Sequence, residues 1–248
     1  MTAIKDSRPA GLAHYKKPTV MVDIVIFTIA DDTLKVLLIK RGIPPFKGHY
    51  ALPGGAVRVD TDMNLEAAAQ RELEEETGVE NNYLEQLYTY GGIDRDPRDW
   101  TVSVAYFALV AKQDVQLKAG TDAAEAHWHS IQGNRVELPL AFDHAPILQD
   151  AIERLRAKLD YTDIAVHLLP EEFTLSEFQR VYEIIMQEKL NKSSFRKRVS
   201  QAEIVQPIAG KMRTGSNRPA QLYRFTENKT DRMFFPRSIV WAERGKHE

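Results

Sequence analysis

The sequence has no cysteine among its 248 residues, which excludes disulfide bonds and thiolate metal sites. It also lacks a long apolar run, because the longest one, residues 19–30, is interrupted by Asp23 and is too short to cross a bilayer. No charged, apolar and small-residue order typical of a secretion signal follows Met1. Together these absences favour a cytoplasmic protein without a membrane partner. Glycine (13 residues) and proline (12 residues) are too few for a collagen-like or low-complexity chain.

The chain does contain enough apolar residues, 43%, for packed cores, and its length suits two small domains. Its net charge of −2 is an average over two unlike parts. Residues 191–224 hold eight basic residues and one acidic residue, a charge of +7, so the remainder carries −9. Opposite signs indicate two modules with different partners. Because the hydrophobic pattern loosens near residues 161–170, we predict domains at 1–160 and 161–248.

The first module mixes strand and helix patterns, which predicts an α+β fold. A helix pattern ends at Gly78, a residue suited to a left-handed helix cap. The predicted strands are residues 19–28, 34–41, 84–90 and 101–110, and the predicted helices are residues 65–77 and 146–159.

The helix before Gly78 carries the most specific pattern in the chain. Glu72, Glu75 and Glu76 stand at i, i+3 and i+4, so their carboxylates share one helix face. Like charges that converge need a cation among them, and Mg²⁺ prefers oxygen ligands. The alternative is a solvated acidic face.

This segment resembles the box of the Nudix family, G-x5-E-x7-R-E-U-x-E-E-x-G-U, where U is apolar. The second half of the box matches in full over residues 71–79. The first half departs from it, because Met63 replaces the family's glutamate and seven residues, not five, separate it from Gly55. Asp60 or Asp62 would have to supply the missing carboxylate.

The resemblance implies an N-terminal Nudix α/β/α sandwich, while the altered box argues against full hydrolytic activity. We therefore expect a protein that is not primarily an enzyme and requires no cofactor, with Mg²⁺ binding and residual hydrolysis left open. The vestigial catalytic set is Arg71, Glu72, Glu75 and Glu76. The ligands of any metal ion would be Glu72, Glu75 and Glu76.

The polar loop 94–100 and the strand after it resemble ADP-ribose-handling Nudix proteins. Arginine side chains there offer planar forks for phosphate, and Trp100 or Tyr106 would stack on a base. The alternative is a salt-bridged surface loop beside a core aromatic residue. Basic residues before the Gly54-Gly55 turn, together with His49, would face the same cleft. The candidate effector-binding residues are Arg41, Lys47, Arg95, Arg98 and Tyr106.

The basic module has the pattern of a winged helix-turn-helix domain. Thr174 opens a helix with Glu177 as its capping-box partner, and a second helix, residues 193–201, has a basic, hydroxyl-rich front and an apolar back. Residues 204–208 and 221–226 predict a β-hairpin, the wing. The alternative is a solvated basic surface. The candidate DNA-binding residues are Lys192, Ser193, Ser194, Arg196, Lys197, Lys211, Arg213, Asn217 and Arg218.

Together the modules resemble the Nudix-related transcriptional regulators of the NrtR type. The resemblance implies a homodimeric repressor of NAD-metabolism genes that binds a near-palindromic double-stranded DNA operator and senses ADP-ribose or a related nucleotide. Two alternatives stay open: an active Mg²⁺-dependent ADP-ribose pyrophosphatase with an appended DNA-binding domain, and a sugar-responsive regulator. Residues 226–248 extend beyond the resemblance and receive no role.

Overall fold

A computed structural model of the chain describes residues 15–78, 83–111, 123–214 and 219–226. The strands are β1 (Thr19–Ala30), β2 (Thr33–Arg41), β3 (Tyr50–Ala51), β4 (Gly54–Ala56), β5 (Tyr83–Tyr90), β6 (Thr101–Leu109), β7 (Ala123–Ser130), β8 (Val205–Arg213) and β9 (Ala220–Phe225). The helices are α1 (Leu65–Thr77), α2 (His144–Leu159), α3 (Leu175–Met186) and α4 (Lys192–Ala202), with a 3₁₀ helix over Ile164–Leu168.

The N-terminal domain is a mixed sheet in the order β3-β2-β1-β6-β5, with β4 paired to β1 and β7 paired to β2. The central strand β1 runs parallel to β6 and antiparallel to β2 and β4. Both of its faces are covered, which is why its sequence is a continuous apolar run.

Alternate residues of β1 enter two separate cores. Ile24 and Ile26 face α1, whereas Val25 and Phe27 face α2. The sheet therefore lies between two helical layers, which confirms the predicted α/β/α sandwich. Strand β7 was not predicted, because its alanine-rich sequence lacks the β-branched residues typical of strands.

The Gly54-Gly55 turn lets β4 approach both β1 and α1. Gly54 has φ +154°, and a Cβ atom there would lie 2.2 Å from the carbonyl oxygen of Val22. A Cβ atom on Gly55 would lie 2.5 Å from Oε1 of Glu72. Both positions therefore require glycine.

The C-terminal domain consists of α3, α4 and the β8–β9 hairpin. The capping box predicted for Thr174 and Glu177 is present at the start of α3. Asn191 caps α4, and Phe195 and Val199 on this helix are each 1% exposed. Backbone hydrogen bonds join Phe173 to Tyr223 of β9. With the 3₁₀ helix included, the domain has the three helices and the small sheet of a winged helix.

A single hydrophobic core joins the two domains. It extends from Phe27 of β1 through Ile152 and Leu155 of α2 to Phe178 of α3 and Phe195 of α4. Helix α2 is therefore packed on both the sheet and the winged helix. No helix within the described ranges is long and apolar enough to cross a membrane.

Candidate functional sites: a charged cleft and a basic helix face

A polar cleft opens at one end of the sheet, on the face that α2 covers. Its walls come from β1, β2, β4, the loop between β5 and β6, and the segment that leads into α2. The charged and aromatic residues that line it are Asp23, Arg41, Arg95, Asp96, Arg98, Phe142 and His144. The cleft thus contains three of the five candidate effector-binding residues.

Arg95 forms the wall of this cleft, but its guanidinium is already engaged. Its Nε and Nη2 donate to both oxygens of Asp143 (2.9 and 2.8 Å), Nη1 donates to Thr101 (2.9 Å), and Nη2 also reaches Asp23 (3.3 Å). The side chain is only 6% exposed. Arg95 therefore ties the β5–β6 loop to β1 and to the start of α2.

Arg98 and Arg41 are more accessible, and both lie against one aromatic ring. Arg98 is 49% exposed and forms a bidentate pair with Asp96. Its guanidinium carbon lies 5.6 Å from the ring centroid of Phe142, and that of half-buried Arg41 lies 4.7 Å away. These distances are typical of cation–π contacts. Both guanidinium groups therefore lie beside one ring in the cleft lining, which suits a ligand that carries phosphate groups.

His144, at the start of α2, is buried and neutral. Its Nδ1 accepts a hydrogen bond from the backbone N–H of Leu52 (2.9 Å), so the proton resides on Nε2, 3.6 Å from Asp23. Burial lowers the pKa of His144 below its ordinary value of 6.5. The imidazole thus joins β1, α2 and the chain before β4 beneath the cleft.

The remaining candidate residues lie apart from the cleft. Tyr106 is 4% exposed and packs in the core between the sheet and α1, on the opposite face. Lys47 is exposed in the loop between β2 and β3 and does not line the cleft. The indole of Trp100 donates to the carbonyl oxygen of Gly91 (3.1 Å), also outside the cleft lining.

Two carboxylates of α1, those of Glu72 and Glu75, are paired with arginine side chains. Glu72 accepts from Arg71 (2.6 Å), and Glu75 forms a bidentate pair with Arg58 (3.0 and 3.2 Å). Both oxygens of Asp62 also accept from Arg71 (2.9 Å each), and these hydrogen bonds lower the pKa of Asp62 to about 2. Arg58 and Arg71 therefore balance the charges of Glu72 and Glu75, two of the three clustered glutamates.

Within the described residues, the carboxylates of α1 are not gathered into an assembled metal site. Across the described ranges, no three His, Asp or Glu side chains come together in a way that would hold a metal ion. Met63, at the position of the missing glutamate, is 93% exposed, and Asp60 is exposed as well. The Oε2 atom of Glu76 is buried without a hydrogen-bond partner; burial and the charges of Glu72 and Glu75 raise its pKa to about 7. At neutral pH, with no cation beside it, this carboxyl is therefore protonated in about half of the molecules.

Helix α4 presents a basic face to solvent. The apolar residues Phe195 and Val199 point into the core, while the five candidate residues of this helix are exposed: Lys192, Ser193, Ser194, Arg196 and Lys197. A helix that buries an apolar face and exposes a basic face, and that follows α3 after a short turn, has the position of a helix that enters the major groove of DNA.

The wing is basic too, but its charges are paired. Lys211 contacts Glu172, and Arg213 contacts Glu177 and also donates to the carbonyl oxygen of Glu172 (3.0 Å). The other two wing candidates, Asn217 and Arg218, lie outside the described residues. The basic residues of α4 are therefore exposed to solvent, whereas the charges of Lys211 and Arg213 on the wing are partly neutralised by Glu172 and Glu177.

The two halves of the chain match two domain models. The NUDIX domain model matches residues 19–151, and the NrtR DNA-binding winged helix domain model matches residues 165–225. The ADPR responsive transcriptional repressor NtrR of Acinetobacter baylyi is 40% identical over 245 residues, which are 95% of this chain and 94% of that protein. The chain belongs to the NrtR family of Nudix-related transcriptional regulators.

Solved structures of NrtR proteins agree with this assignment. Shewanella oneidensis NrtR complexed with a 27mer DNA has a TM-score of 0.75 at 39% identity, covering 84% of this chain and 93% of that chain. The NUDIX domain of the same NrtR complexed with ADP ribose has a TM-score of 0.52 at 40% identity, covering 57% of this chain and 90% of that chain. The family and the two-domain architecture predicted from the sequence are confirmed.

Sequence analysis missed the segment of this NrtR-family chain that leads into α2. Phe142, Asp143 and His144 all contact cleft arginines or cleft carboxylates. The signal for them was present, because an Ala-Phe-Asp-His sequence directly before an amphipathic helix places an acidic residue at its N-cap. Its partners lie 44 to 121 residues away in the chain, so only the folded chain shows the contacts.

Proposed function

We propose that this protein is a DNA-binding transcriptional repressor whose Nudix-like domain senses ADP-ribose or a related nucleotide. The observation that carries the proposal is the pairing of a cleft that holds Arg41 and Arg98 with an exposed basic helix, α4, on one continuous core. The named properties of the Acinetobacter and Shewanella proteins support the same ligand and the same DNA partner.

The cleft suits sensing better than turnover. Two guanidinium groups against Phe142 would bind the pyrophosphate, with Arg98 exchanging its partner Asp96 for a phosphate oxygen. Hydrolysis of a pyrophosphate by a Nudix protein needs metal-binding carboxylates, and two of those on α1, Glu72 and Glu75, are paired with arginine side chains. A bound ligand would therefore not be hydrolysed, and the occupancy of the cleft would follow the concentration of the ligand.

DNA binding is proposed to use a homodimer on a near-palindromic operator, because one winged helix reads only a short half-site. The regulated genes would be those of NAD metabolism, since ADP-ribose is a product of NAD breakdown. Such a regulator acts on the chromosome, so a cytoplasmic location is part of the proposal.

One experiment tests the proposal and its alternatives. A duplex selected by the full chain from a random-sequence pool is titrated with protein, with and without ADP-ribose, while AMP release is followed in the presence of Mg²⁺. We expect ADP-ribose to weaken duplex binding without stoichiometric AMP release. Multiple-turnover AMP release would support the pyrophosphatase instead, and release of the duplex by arabinose but not by ADP-ribose would support the sugar-responsive regulator.

A further inference from the structure

Helix α2 contacts both the cleft and the winged helix. Its 16 residues make a rod about 24 Å long at 1.5 Å per residue. Asp143, its N-cap residue, holds Arg95 at the cleft, and Arg156, three turns later, contacts α3. The interior of α2 is packed into the shared core by Ile152 and Leu155, so the rod has no freedom to bend independently of its surroundings.

At the cleft end, the residue before the N-cap is under a conformational constraint. Phe142 has φ +52°, a left-handed conformation that is rare for a large side chain and that costs free energy. Its ring is the surface against which Arg41 and Arg98 lie. A ligand that draws those guanidinium groups towards its phosphates changes the contacts of Phe142, and hence of the first turn of α2.

At the other end, the guanidinium of Arg156 joins the two domains. Nε of Arg156 donates to the carbonyl oxygen of Ile185 (2.9 Å), in the last turn of α3, where carbonyl groups have no partner within the helix. Its Nη2 donates to the carbonyl oxygen of Gly133 (2.9 Å), and Nη1 contacts the side chain of Asn134. The planar fork fixes all three contacts in one geometry, so α3 cannot shift relative to α2 without breaking at least one of them.

We infer that Arg156 is a positioning residue that couples the cleft to the helix-turn-helix, with α2 as the rigid connection between them. Since α3 ends at Met186 and α4 begins at Lys192, a displacement at the end of α3 is passed on to α4 through a short turn. The inference rests on the proposed function, because it assigns the route by which the bound ligand lowers duplex affinity. A ligand shifts the equilibrium between a DNA-binding arrangement of α3 and α4 and a second, weaker-binding arrangement only if its contacts differ between the two. The contacts of Phe142, at the start of α2, supply that difference.

The structure offers two matched controls. Arg154 lies on the same helix, but it contacts Glu85 (3.5 Å) and the ring of Tyr88 (4.9 Å), both on β5 of the N-terminal domain. Arg180 of α3 also crosses between the domains, but its pair with Asp32 (3.2 Å) is exposed and independent of α2. Exposed ion pairs of this kind contribute little to the free energy of folding.

The test compares Arg156→Met with Arg154→Met and Arg180→Met. For each, duplex affinity is measured by fluorescence anisotropy with and without saturating ADP-ribose, and ADP-ribose affinity is measured by calorimetry on the same protein. The coupling factor is the ratio of the two duplex dissociation constants. In Arg156→Met we expect ADP-ribose affinity within about twofold of wild type and a coupling factor at least about fivefold smaller, given the range typical of allosteric coupling. Both controls should retain the wild-type factor.

The outcomes separate this inference from the proposed function. If ADP-ribose fails to release the duplex from the wild type, the proposed function is wrong. If the wild type responds and Arg156→Met responds equally, only the role of Arg156 is wrong. Should Arg156→Met fail to fold, hydrogen–deuterium exchange of the wild type decides: ADP-ribose should change exchange of the amides of residues 183–189, and unchanged exchange there would overturn the inference.

Discussion

The pairing of the wing with the start of α3 makes a quantitative prediction about DNA binding. Lys197 on α4 is exposed and forms no ion pair within the described residues, whereas Lys211 on the wing is paired with Glu172. A phosphate contact made by a free lysine releases a condensed counterion, and its loss flattens the dependence of log K on log salt by about 0.9. In the proposed homodimer the substitution removes one such contact from each protomer. Lys197→Met should therefore flatten the slope by about 1.8, so that duplex affinity falls about 12-fold less than that of wild type between 50 and 200 mM salt.

Lys211→Met should flatten the slope much less. When Lys211 moves to a phosphate, Glu172 is left without its partner and attracts a cation, which offsets the counterion released from the DNA. The pair is about half exposed, so giving it up costs about 0.2–1 kcal/mol. Glu172→Gln removes that cost in both protomers of the proposed homodimer and should raise duplex affinity up to about thirtyfold while steepening the slope.

The assay is fluorescence anisotropy of the selected duplex over a potassium chloride series. Lys35→Met is the matched control, because Lys35 pairs with Asp31 on the N-terminal domain and should leave the slope unchanged. If Lys211→Met and Lys197→Met flatten the slope equally, and Glu172→Gln changes nothing, the argument that Glu172 neutralises the wing in the free protein is refuted.

Three further predictions concern the cleft. Arg95→Met should lower the free energy of unfolding in urea by about 3–5 kcal/mol, because it leaves the carboxylates of Asp23 and Asp143 buried without their cation, and an unchanged value would contradict the network. Arg98→Met should instead weaken ADP-ribose binding about ten- to a hundredfold in calorimetry at nearly unchanged stability, whereas unaltered affinity would place the phosphates elsewhere. His144 has a lowered pKa in the folded state, so the unfolded chain takes up the proton first; stability is full above pH 6.5 and falls as the pH drops below it. Urea unfolding between pH 5 and 8 should show this loss in the wild type and not in His144→Gln.

The local sequence was sufficient to predict elements whose signals are local. Helix α1 ends at Gly78, whose φ of +69° is the left-handed cap that the glycine predicted. The capping box of α3 and the apolar back of α4 were predicted in the same way, because side-chain periodicity and capping depend on residues three or four apart. Strand β7 was missed, because its residues have low strand propensity and it is stabilised by pairing with β2, which lies far from it in the sequence.

Which face of the sheet a residue occupies was decided only by the tertiary structure. Strand β6 is buried on both faces, so its sequence gives no alternation from which to choose. Ser103 faces the cleft side and bonds Asp23, whereas Tyr106, an odd number of residues later, faces α1. The position of Tyr106, in the core beside α1, therefore does not support the prediction that it contacts the effector.

The sequence by itself determined the family, the two modules and the polarised charge, because these depend on composition and on motifs that are contiguous in the chain. It did not determine what each charge is paired with. Arg95, Arg98 and Lys211 read alike as exposed basic residues, yet the fold gives them a buried network, a cleft wall and an acidic neighbour on α3. The free energy of a charge depends on its distance to other charges and on its burial, and both are properties of the folded chain.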